Sequence, residues 1–132
     1  MKRIFEEDGF TAIEIVIFFV ILVILAVFFV IQKLDLETSF TDEQRKTAVN
    51  SIYYNLTDVY YKEHKYYPYE IKEETLRGID SNILYDDYGF MINDPESAYY
   101  YEGLDCDNKN HCKNFRLTAD LEKENDYEKT SY

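Results

Sequence analysis

The chain has no tryptophan, two prolines (Pro68 and Pro95) and two cysteines (Cys106 and Cys112) in 132 residues. With no proline before Pro68, nothing in the first half bends or breaks a long helix through a missing N–H. Basic residues are scarce: 14 Lys and Arg stand against 26 Asp and Glu, a formal net charge of −12. Such a surface repels phosphate backbones and anionic headgroups, which disfavours nucleic-acid binding through a general basic patch. Internal repeats and low-complexity tracts are absent. So are a nucleophile elbow, a paired-acid geometry and a phosphate loop, so no enzymatic role and no cofactor are expected. The length allows one domain at most, and part of it is not available for a soluble core.

What is present begins with a hydrophobic run. Between Phe10 and Ile31 the only polar residues are Thr11 and Glu14. About 20 apolar residues in a helix span the ~30 Å hydrocarbon layer, so the run is long enough to cross once. A secretory signal peptide has a shorter apolar core followed by small residues for cleavage. Phe28-Phe29-Val30-Ile31-Gln32 offers no such site, so the run is expected to stay with the protein. Lys2 and Arg3 precede it, and the positive-inside tendency places the N-terminus in the cytoplasm and the remainder outside. Outside the cytoplasm, two cysteines as close as Cys106 and Cys112 in a polar loop are most simply a disulfide.

After the run, Val49, Ile52, Tyr53, Leu56, Val59 and Tyr60 recur at intervals of three and four, one apolar stripe on a helix. Arg45, Lys46, Asn50, Asn55, Asp58 and Lys62 take the other faces. Tyr67-Pro68 is the expected terminus, because proline disfavours a helical residue before it. Unbroken from Phe10 to His64, such a helix extends ~80 Å. Thr41 and Gln44 fit a capping box that would interrupt it; the competing reading is one continuous helix. Turn signals at Arg77-Gly78, Tyr88-Gly89 and Asp94-Pro95 mark a loop with one short helical turn. Ser97–Leu104 reads as a strand on aromatic content, and Phe115–Glu122 as a half-buried strand with period two. Tyr127–Tyr132 is a weakly marked third strand. A small antiparallel sheet does not bury a face by itself, and the Val49–Tyr60 stripe supplies its partner. The expected class is α+β: a long N-terminal helix, transmembrane then amphipathic, packed on a small antiparallel sheet.

Gly9-Phe10-Thr11-Ala12-Ile13-Glu14, directly ahead of the run, resembles the processing site and first turn of type IV pilins and the related pseudopilins. Tyr60–Pro68 resembles the end of the long pilin helix. The resemblance implies cleavage between Gly9 and Phe10 by a prepilin peptidase and N-methylation of Phe10. It divides the chain into a leader (1–9), a transmembrane and fibre-core helix (10–33), an amphipathic outer half (34–67) and the loop and sheet of a globular head (68–132). It implies a subunit that waits in the cell membrane and, with assembly-platform proteins, polymerises with copies of itself into an extracellular pilus for adhesion or twitching motility. The alternatives are a pseudopilin of a secretion or DNA-uptake system, and a monomeric membrane-anchored binding module. Glu14 then has a role. A carboxylate in hydrocarbon is expensive, and in a fibre it would pair with the Phe10 ammonium of a neighbouring subunit, each charge compensating the other.

Other constellations carry less. His111 between the cysteines, with Asp105 and Asp107, lacks the four ligands of a zinc site. Asp105, Asp107 and Asn110 resemble a calcium loop but lack its glycine and terminal glutamate. No metal site is therefore assigned. Asn55-Leu56-Thr57 matches a glycosylation sequon inside an expected helix. Fourteen tyrosines are read as divided between core and surface, with some rings packed in the helix–sheet layer.

Overall fold

The computed structural model describes residues 11–132, and the chain divides into two units between Glu37 and Thr38. The secondary structure is helical from Ala12 to His64 (53 residues). It comprises α1 (Ala12–Tyr54), a π-turn (Asn55–Tyr60) and α2 (Tyr61–His64). α1 runs without interruption through Ser39-Phe40-Thr41, so the continuous reading holds over the capping-box alternative.

In the first unit every described residue from Thr11 to Glu37 is exposed. Large apolar side chains point to all sides, among them Ile13, Phe19, Val23 and Phe29. Its most apolar 18-residue window has a mean hydropathy of 3.4, and the helix is long and apolar enough to cross a membrane. A helix that is hydrophobic all round needs lipid or other apolar chains around it.

The second unit packs the helix on a sheet. The strands are β1 (Tyr67–Pro68), β2 (Tyr99–Cys106), β3 (His111–Ala119) and β4 (Tyr127–Thr130), all paired antiparallel to β3. β2 follows one edge of β3 along its length, from Tyr99 opposite Ala119 to Cys106 opposite Cys112. β1 and β4 share the other edge, β1 opposite His111–Cys112 and β4 opposite Arg116–Ala119. A two-residue strand ending in proline is tolerated there because an edge position does not need the missing N–H. Val49, Ile52 and Leu56 from the helix meet Tyr99, Tyr101, Phe115, Leu117 and Ala119 from the sheet in one core. Ile71, Leu76, Leu84 and Ile92 close it from the long loop, which carries one 3-10 turn at Ser81–Leu84.

Three differences from the sequence pattern have physical causes. Val59, placed in the apolar stripe, is 44 % exposed. A π-turn takes more residues per turn than an α-turn, so the stripe drifts off the core after Leu56. Arg45, placed on a solvent face, is 4 % exposed. Its Nε and Nη2 donate to both oxygens of Asp87 (2.8 and 3.0 Å) and its Nη1 to Asp120 O (2.9 Å), which offsets its desolvation. The strand expected to reach Glu122 stops at Ala119. Beyond it Asp120 N donates to Ala98 O, and the amides of Glu122 and Lys123 turn towards Asp42.

Asp42 fastens the β3–β4 connection to the helix. It is 2 % exposed and accepts from Glu122 N (2.8 Å) and Lys123 N (3.0 Å). Burial alone would raise its pKa; the two amides, with the charges of Arg45 and Lys46, outweigh it and hold the carboxyl below its ordinary value. A depressed folded pKa contributes stability that is present above the unfolded pKa and lost as pH falls through the folded one. Asp42→Ala is expected to lower unfolding free energy at neutral pH by about 2–3 kcal/mol, because two part-buried donors lose their acceptor. Denaturant titration of the chain in detergent micelles should show that difference shrink on acidification. A constant difference from neutral pH down through the carboxylate range would reject the linkage.

Candidate functional site

Two of the three assembly and processing positions, Gly9 and Phe10, lie outside the described residues. The third, Glu14, sits in the first turn of α1. Its Oε2 accepts from Thr11 N (2.7 Å) and Thr11 Oγ1 (2.9 Å), and Glu14 N donates to Thr11 Oγ1 at 3.4 Å. This is a capping box, in which residues three apart satisfy each other's exposed groups at a helix start. The signal, threonine followed three residues later by glutamate, is in the sequence and was passed over there. One carboxylate oxygen is thus committed to the chain's own first turn. Among the described residues no hydrogen bond reaches Oε1.

Cys106 and Cys112 are joined by a disulfide between opposed positions of β2 and β3. Gly103, three residues earlier on β2, leaves the room for it. A Cβ there would lie 2.6 Å from Cys112 Sγ and 3.0 Å from Pro68 O, so only glycine fits without displacement. The polar link between the two strands is occupied by its own turn. Asp107 Oδ1 accepts from Lys109 N (2.8 Å) and His111 N (3.0 Å), and Asp105 Oδ2 accepts from Asn114 Nδ2 (3.1 Å). The His111 and Lys109 amides hold the Asp107 carboxyl below its ordinary pKa. Two of the three side chains that resembled a calcium loop, Asp105 and Asp107, therefore serve backbone and side-chain donors. Among the described residues no group of three or more His, Cys, Asp or Glu is placed to hold a metal ion.

Both histidines enter an aromatic stack beside this turn. His64 stacks on Tyr60 with centroids 4.2 Å apart, and His111 on Tyr66 at 3.7 Å. The tyrosines divide by position. Tyr67, Tyr99 and Tyr101 are in the core, whereas Tyr54, Tyr69, Tyr88 and Tyr132 are exposed. Burial pushes the Tyr99 phenol up to about 12 and that of Tyr101, which donates to Pro68 O at 2.6 Å, further still. Asn55 of the sequon is 8 % exposed, and its Nδ2 donates to Arg77 O, so this side chain is not presented for glycosylation.

A long apolar N-terminal helix packed on a small four-stranded antiparallel sheet is a pilin-like architecture. No protein-family model, curated protein or solved structure matches the chain.

Proposed function

We propose that the protein is a structural subunit of a type IV pilus. The observation that carries this reading is a single ionisable side chain, Glu14, in the first turn of a helix whose exposed stretch from Ala12 to Ile31 is otherwise apolar and whose later part bears an α+β head. An acidic group at that depth is retained against its insertion cost only where it has work to do. In the proposed cycle residues 1–9 are a leader, removed between Gly9 and Phe10 by a prepilin peptidase, and Phe10 is N-methylated. Residues 10–33 hold the subunit in the membrane, N-terminus inside, and then form the fibre core. Residues 34–67 and 68–132 make the outer helix and head. Glu14 pairs with a neighbouring Phe10 ammonium as each subunit leaves the bilayer.

The test is to shear surface fibres from cells producing the chain and measure the intact mass of their subunit. Fibres dominated by this chain, lacking Met1–Gly9 and carrying one added methyl group, are expected. Fibres in which it is a trace component point to a pseudopilin or minor subunit. A full-length chain confined to the membrane rejects polymerisation and leaves an anchored binding module.

A further inference from the structure

The two ends of β3 carry opposite balances of charge. Beside its start lie three exposed lysines: Lys65, whose neighbour Tyr66 stacks on His111, Lys109 in the β2–β3 turn, and Lys113 on β3 itself. Among the described residues none of the three enters an ion pair, whereas Lys62 and Lys72 nearby are held by Asp58 and Glu70. Asp105 and Asp107 share this end and accept from Asn114 Nδ2 and from the Lys109 and His111 amides. The balance there is slightly positive.

At the far end, the connection to β4 (residues 120–126) carries four acidic residues and one lysine. From the helix, Arg45 lies 3.5 Å from Glu122 and Lys46 lies 2.8 Å from Glu124. Asp120 and Asp126 are exposed and, among the described residues, enter no ion pair. Desolvation and then the charge of Asp126 push the Asp120 carboxyl above its ordinary value, so this end is not neutralised from within. At ~3.3 Å per residue, Lys113 and Asp120 stand ~23 Å apart along the strand. That is more than twice the ~8–10 Å screening length at physiological salt, so the two ends of one chain do not compensate each other. A second copy placed end to end does.

We infer that subunits meet end to end through their heads, the Lys65, Lys109 and Lys113 end of one copy lying against the 120–126 link of the next. Such a contact joins different surfaces on the two copies, so it repeats from copy to copy, as an open filament requires. Exposed ion pairs contribute little each; what they set is the register and direction of addition. The inference rests on the pilus reading and names where its heads touch.

The experiment treats sheared fibres with a carbodiimide, which joins an amine to a carboxylate only where the two are in contact, and identifies the linked peptides by mass spectrometry. Lys109 or Lys113 joined to a carboxylate of residues 120–126 is expected, and the separation within one chain makes that link one between copies. It should be missing from the full chain kept monomeric in detergent micelles. Lys46 and Glu124, paired within the chain, should be joined in both samples and show that the reagent has acted. Lys109→Glu with Lys113→Glu should lower fibre yield about tenfold at matched membrane level and cleavage. Adding Asp120→Asn and Asp126→Lys to that chain should recover most of the yield. Fibres in which the Lys46–Glu124 link forms but none joins Lys109 or Lys113 to residues 120–126 overturn the contact and leave the pilus reading standing. So does a yield untouched by the lysine reversal. An unaltered chain that makes no fibres rejects the pilus reading and this contact with it.

Discussion

Phe115→Ala is expected to lower the unfolding free energy of the head by about 3–5 kcal/mol, the range for deleting a fully buried aromatic ring. Phe115 is 0 % exposed and lies where helix and sheet meet. Its ring centroid is 4.7 Å from that of Tyr67 on β1, 5.8 Å from Tyr101 on β2 and 5.8 Å from Tyr53 on α1. One side chain thus joins both edges of β3 to the helix. Opposite it on β2 is Gly103, which contributes no side chain to fill the space left by truncation. Collapse onto the cavity is also resisted by the neighbouring disulfide. A domain is stable by only about 5–15 kcal/mol, so the loss is a large share of the total. Val59→Ala, on the same helix but beyond the core, serves as the control, with a change of about 0.5 kcal/mol or less. Denaturant titration of both variants in micelles decides it. A Phe115→Ala midpoint indistinguishable from that of Val59→Ala would mean that this ring is not the link between layers.

How far the fold was legible depends on what each signal encodes. Period-two alternation at Phe115, Leu117 and Ala119 reports burial of one strand face, and all three are in the core. The intervals of three and four at Val49, Ile52 and Leu56 report a helix face, and these too are buried. Both patterns arise locally, from backbone geometry and one adjacent layer. Arg45 and Asp42 were not legible because their burial depends on partners far along the chain. Arg45 meets Asp87 and Asp120, and Asp42 meets the amides of Glu122 and Lys123. Only tertiary structure brings those groups together. β1 escaped notice for the same reason: Tyr67-Pro68 is a strand only because β3 lies beside it. The π-turn is a subtler case. Apart from Leu56 its residues are weak helix formers, but weak propensity does not name a π-turn, and the extra residue in the turn shows only as a drift that puts Val59 outside and Asn55 inside.

The candidate site divides along the same line. The position of Glu14 in an apolar helix was plain, because charge against hydrocarbon is a compositional contrast. Its capping partner was equally local, Thr11 three residues earlier, and was overlooked beside the larger question of the charge. That partner changes how the role of Glu14 is tested, since removing the side chain removes a helix cap as well as a carboxylate.

Glu14→Val is expected to abolish fibres while leaving the subunit in the membrane at its normal level. Insertion should be unchanged or slightly improved, since an acidic residue deep in a membrane helix costs on the order of 3 kcal/mol and less near the interface. Cleavage after Gly9 should continue, because the glycine is untouched. Assembly should fail because each Phe10 ammonium would enter the fibre core without its countercharge. Breaking a buried pair from one side typically costs about 3–5 kcal/mol, repeated at every subunit added. The capping box supplies a competing explanation, as loss of an N-terminal cap weakens a helix start by about 1 kcal/mol. Glu14→Gln separates the two, because glutamine keeps the cap's acceptor geometry and removes the charge. Thr11→Val is its complement, removing the hydroxyl that donates to Glu14 Oε2 and keeping the charge. The pairing mechanism requires fibres from Thr11→Val and none from Glu14→Gln. Fibres from Glu14→Gln, with membrane level and cleavage matched, would assign Glu14 to capping its own helix and end the proposal that it pairs with a neighbour.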